Sequence, residues 1–100
     1  GALGIQPVTG EIPLNYSLQQ NYPNPFNPVT NIKFSIPEAG FVKLVVFDVT
    51  GKVVSTLISQ SMKAGNYVAD FDASSLTSGV YFYKLTSGSY INTKRMILVK

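Results

Sequence analysis

Residues 76–85 read LTSGVYFYKL, a turn that runs straight into a strand. Ser78 and Gly79 supply the turn, and Val80, Tyr81, Phe82 and Tyr83 suit a pleated, half-buried surface. The spacing Leu76, Gly79, Tyr81 matches a tyrosine corner, in which a Tyr at a strand start bonds its hydroxyl to the backbone a few residues upstream. Leu plugs the core, Gly permits the bend, and Tyr buries its ring while its hydroxyl stays bonded. An ordinary loop-to-strand junction with an aromatic core residue is the alternative. The corner is favoured because six other strand-like runs fit the fold it belongs to.

Residues 16–21 carry Tyr16, Leu18 and Gln20 on one side and read as a weak first strand. Residues 31–36 alternate, with Ile32, Phe34 and Ile36 inward and Lys33 and Ser35 outward. Residues 37–40 (PEAG) are a turn. In residues 41–48, Val42, Leu44 and Val46 share one face, and Phe41, Lys43, Val45 and Phe47 the other. Two apolar faces predict a central strand, or else a cover over Val45 and Phe47 from the N-terminal segment. Asp48-Val49-Thr50-Gly51 is a hairpin signal for a type I turn closed by a glycine bulge. Residues 52–58 are its partner strand, with Val53 or Val54 and Leu57 inward. Residues 59–66 read as a loop. Tyr67, Ala69 and Phe71 then point inward and Val68, Asp70 and Asp72 outward. Residues 90–99 form the last strand. No helical period and no internal repeat occurs. The pattern predicts an all-β fold, an Ig-like seven-stranded antiparallel β-sandwich with Greek-key connections.

Two segments fall outside the alternation. Residues 1–15 hold three Gly and two Pro and read as a linker, with a possible added scar at residues 1–2. Ile5, Val8, Ile12 and Leu14 are its docking candidates. The predicted domain is residues 16–100. Residues 21–28 (NYPNPFNP) pack three prolines around one large apolar residue, Phe26. Proline fixes φ and biases its predecessor toward extended geometry. Asn24 and Asn27 can bond backbone groups that no ladder serves. The segment is expected to be ordered, extended and pinned by Phe26, blunting a sheet edge.

The composition excludes much chemistry. The chain has 100 residues, 45% of them hydrophobic, enough for one core. It has no Cys and no His, so it lacks thiols, the commonest general base and the commonest zinc ligand. Ser74, Ser75, Thr77 and Ser78 have no His to activate them. Asp70 and Asp72 share a strand face, as a Ca²⁺ site or acid–base pair would require, but solvated surface charge explains them as well. No cofactor or metal is expected, and the domain is not expected to be an enzyme. The net charge of +3 is too dispersed for nucleic acid. No apolar run reaches the roughly 18–20 residues of a membrane helix, and no signal peptide is read. Since residue 1 is not Met, the chain is expected to be a piece of something longer. The six tyrosines would make a sugar platform if exposed, but most fall at inward or corner positions.

Four runs carry a resemblance: QNYPNPFNPVTNIKFSIPEAG (residues 20–40), VKLVVFDVTGKVV (42–54), AGNYVADFDASSLTSGVYFYKL (64–85) and KRMILVK (94–100). Together they closely resemble the type A C-terminal sorting domain of type IX secretion cargo, from about Leu14 to Lys100. The resemblance implies an Ig-like address at the end of proteins secreted by Bacteroidetes and related Gram-negative bacteria. It implies reading in the periplasm by the type IX machinery, translocation of an upstream cargo domain across the outer membrane, and often removal by a sortase-like peptidase, with the cargo released or held at the cell surface. The recognition residues it implies are Pro23, Asn24, Pro25 and Phe26, then Gly79 and Tyr81, then Lys94, Arg95 and Lys100. Strand addition at an edge near the C-terminus is a physical route to recognition, with those three cations steering toward an acidic receptor. The alternatives are an Ig-like spacer or carbohydrate-binding accessory module, and an assembly scaffold like that of flagellar hook-cap proteins.

Overall fold

The alternating runs become strands that bury one face each. The computed structural model describes residues 2–8 and 10–100. Eight strands form two antiparallel sheets, and the described residues contain no helix: β1 (Ala2–Val8), β2 (Ser17–Leu18), β3 (Val29–Ile36), β4 (Gly40–Phe47), β5 (Val53–Met62), β6 (Gly65–Asp72), β7 (Gly79–Ser87) and β8 (Tyr90–Leu98). One sheet has the order β1-β6-β3-β2 and the other β5-β4-β7-β8. The chain changes sheets at β3–β4, β5–β6 and β6–β7, so the two layers are stitched together by crossings rather than stacked as separate meanders.

The two inner faces meet in one core. Leu18, Ile32, Phe34, Ile36, Ala69 and Phe71 come from the first sheet. Val42, Leu44, Val46, Ile58, Tyr83, Leu85, Met96 and Leu98 come from the second. This is the sandwich the period-2 pattern predicts. β4 is central, between β5 and β7, as its two apolar faces require. The DVTG turn also forms as expected. Gly51 N–H donates to the Asp48 carbonyl at 3.0 Å, and Gly51 has φ of 86°. The Asp48 carboxylate accepts from the Thr50 N–H, the Thr50 hydroxyl and the Lys52 N–H. The Thr50 hydroxyl bond leads in holding that carboxyl below the usual range.

The structure differs from the sequence reading at three places. Residues 59–66 are largely strand, because β5 runs on to Met62 and β6 starts at Gly65. Met62 returns to the core at the period set by Ile58, paired with Gly40 across the ladder. Of Val53 and Val54, the two candidates for the inward position, Val54 packs half-buried against the core and Val53 is exposed, as β5 bulges twice against β4. The first strand keeps only Ser17 and Leu18, and Gln20 is exposed. Finally, residues 2–8 of the expected linker form β1 on the edge of β6, which makes eight strands rather than seven.

Candidate functional site

Three stretches that lie far apart in sequence meet at one corner of the sandwich. Leu98 is their junction. It pairs with Gly79 on one side and makes a parallel bridge to Phe26 on the other. Phe26 N–H donates to the Ile97 carbonyl at 3.0 Å, and Val99 N–H donates to the Phe26 carbonyl at 3.0 Å. The Asn24 side-chain oxygen accepts from the Ile97 N–H at 3.0 Å. The NPF segment therefore acts as a short extra strand along the end of β8. The expected anchor is confirmed: the Phe26 ring is buried, 6.2 Å from Phe71. Pro23, Asn24 and Pro25 remain exposed around it, and Tyr22 is 79% exposed. The peptides before Pro23, Pro25 and Pro28 are cis.

A buried polar network holds this segment. The Tyr83 hydroxyl accepts from Asn21 N–H at 2.8 Å and donates to the Gln19 carbonyl at 2.7 Å. Asn21 Nδ2 donates to the Pro23 carbonyl and to Thr30 Oγ1, and Thr30 Oγ1 donates to that same carbonyl. Asn21 and Thr30 are almost fully buried, and every one of these bonds serves a group that has no ladder partner. Burial pushes the Tyr83 phenol up to about 12, against the pull of the Asn21 N–H. The sequence offered no local signal for this network, because Tyr83 finds its partners more than sixty residues away.

The tyrosine corner is present. Tyr81 donates its hydroxyl to the Thr77 carbonyl at 2.7 Å, four residues back, and its ring is buried. Leu76 packs against the core. Gly79 has φ of 157° with open space around it, so backbone conformation rather than room is what favours glycine there.

The three C-terminal cations do not form one patch. Met96 and Leu98 face the core, so Lys94 lies on the inner side of β8 and Arg95 on the outer. Lys94 is half-buried opposite Tyr83, and Arg95 is exposed opposite Phe82. Gln20 Nε2 donates to the Arg95 carbonyl at 2.6 Å. Lys100 turns away to the loop before β7, where its ammonium donates to the Ser74 carbonyl at 2.6 Å and its N–H to Ser78 Oγ at 2.9 Å. The outer rim of β8 is thus occupied at Arg95 O, Ile97 N, Ile97 O and Val99 N. By ladder alternation the outward backbone groups of Ile91 and Thr93, and the Arg95 N–H, complete that rim.

The remaining candidates fall elsewhere. The Asp72 carboxylate accepts from Ser74 N–H and from Ser74 Oγ, whose hydroxyl leads in pulling its pKa down. Among the described residues no three His, Cys, Asp or Glu come together as metal ligands. Tyr81 and Tyr83 are buried, and Tyr16 stacks on Tyr90 and Tyr67 on Phe34. Tyr22 alone among the tyrosines is highly exposed, so no aromatic row faces solvent.

A family model described as a secretion system C-terminal sorting domain matches residues 20–100. The chain belongs to this family. It is the type IX sorting domain that the four sequence runs resemble, and β2 lies just ahead of the matched region. Every strand from β3 to β8, the NPF segment and the corner of this sorting domain lie inside the match; β1 lies outside it. No curated protein matches the chain, and no solved structure does. As a type IX sorting signal, the domain directs an attached cargo to the cell surface or beyond. No helix among the described residues is long and apolar enough to cross a membrane.

Proposed function

We propose that this sorting domain is read as a folded sandwich in the periplasm, along the stretch of the β8 edge left open beside the corner where the NPF segment, the Gly79–Tyr81 turn and the end of β8 join. The meeting of those three stretches at Leu98 is the observation that supports this reading. Recognition proceeds by strand addition from the translocon to the outer edge of β8. Phe26 and Asn24 cover residues 97–99 of that edge and Gln20 holds the Arg95 carbonyl, so the receiving stretch is residues 91–93 with the Arg95 N–H. Backbone bonds supply affinity there, and the exposed Arg95 supplies register toward an acidic strand. The domain has no catalytic role of its own. A sortase-like peptidase removes it by cutting within residues 10–15, where no strand pairing protects the chain.

Thr93→Pro is the test. Its N–H points outward, so proline leaves the β7–β8 ladder intact while deleting the donor an incoming strand needs. We expect a variant that folds and melts within a few degrees of the parent yet leaves its cargo inside the cell. Secretion of the folded Thr93→Pro cargo at the parent's level would remove β8 as the receiving edge.

A further inference from the structure

β1 lies wholly outside the region the sorting-domain match covers, yet it is built into the first sheet. It lies antiparallel to β6, with Gly4 opposite Asp70, Ile5 opposite Ala69, Gln6 opposite Val68, Pro7 opposite Tyr67 and Val8 opposite Asn66. The hydrogen-bond phase follows from the neighbouring ladder. Gln19 N–H donates to the Lys33 carbonyl, and Tyr22 exchanges backbone bonds with Asn31. Those outer groups of β3 fix Ala69 and its alternates as facing β3, and Val68 and its alternates as facing β1. Gln6 then bonds Val68, and Pro7, which has no N–H, falls where that N–H would point to solvent.

The side chains agree with that phase. Ala69 is fully buried and small, flanked by Ile32 on one side and Ile5 on the other. The half-buried Ile5 closes the core over that gap. Beyond the strand, Asn66 Nδ2 donates to the Glu11 carbonyl at 3.1 Å, while Asn66 Oδ1 accepts from Ser35 Oγ. Residues 12–15 follow without pairing, with Ile12 60% and Leu14 91% exposed.

We infer that the edge of β6 is a strand-binding site for residues 2–8 that holds them in trans as well as in cis. A cut within residues 12–15 leaves β1 and the Glu11 bond on the upstream piece, still seated on β6. Cutting and separation are then two events, and the second requires β1 to be peeled off or exchanged for another strand. This holds whichever protease makes the cut and does not rest on how the domain is recognised.

The experiment uses the full chain with a folded reporter ahead of Gly1 and a specific protease site inserted between Leu14 and Asn15. After complete cutting, gel filtration should give one peak containing both reporter and sandwich. Gln6→Pro deletes the donor to Val68 without touching the core, and Ile5→Asp removes the apolar cover. Each should split the cut sample into two peaks, while Pro7→Ala should not. Far-UV circular dichroism of the uncut variants checks that the sandwich is retained. Separation of the cut parent chain into two peaks overturns the inference. So does co-elution that survives both Gln6→Pro and Ile5→Asp, since the hold would then lie outside the β1–β6 ladder.

Discussion

Tyr81 and Tyr83 stand two residues apart on β7, both buried, and they do different jobs. Tyr81 bonds four residues back, so its role was legible in the spacing Leu76, Gly79, Tyr81. Tyr83 reads as an inward aromatic and nothing more, because its hydroxyl serves Asn21 and Gln19 across the sandwich. Its raised pKa makes a prediction whose sign follows from linkage. The folded state holds the phenol neutral above the free value of about 10. The stability this represents is fully present below pH 10 and is lost as pH rises through about 12. About two pH units correspond to roughly 3 kcal/mol. Urea melts between pH 8 and 11.5 should show stability falling once pH passes 10. Tyr83→Phe should flatten that fall and lose about 1–3 kcal/mol at pH 8, because Asn21 N–H is left buried without an acceptor.

At the scale of elements, the NPF segment shows how proline and a ladder coexist. Its backbone cannot join a regular strand, yet it caps the last residues of β8 through Phe26 and Asn24. Order and the Phe26 anchor could be read from composition. Which edge the segment covers could not, since no local pattern says that residue 26 meets residue 98. β5 extends past its sequence signal for a related reason. Ser59, Gln60 and Ser61 look like loop, but on an edge strand the polar positions face solvent and only Met62 reports the inner face. The two contacts of the NPF segment differ in weight. Phe26→Ala should cost about 3–5 kcal/mol, because the ring fills a closed site on Phe71. Asn24→Ala should cost about 0.5–1.5 kcal/mol, because the Ile97 N–H it frees can reach water at the exposed rim. Denaturant midpoints of the two variants check that order.

For the whole molecule, the sandwich class was plain from seven alternating runs with no helical period. The eighth strand was not, because Gly4 and Pro7 make residues 2–8 look like linker, and only the vacant edge of β6 turns them into β1. The three cations at the end of the chain looked like one cluster. The strand period separates Lys94 from Arg95, and Lys100 folds back to Ser74. What survives as one unit is the corner around Leu98, and the account rests on that corner as the end of a type IX sorting signal.

The most direct measurement is the distribution of a folded reporter fused ahead of this chain in a type IX-competent cell. The intact fusion should place the reporter at the cell surface or in the medium. A fusion ending at Thr93, which lacks residues 94–100 and so the whole meeting point with Phe26 and Gly79, should leave it inside. Equal amounts of reporter outside the cell from both fusions would contradict the account.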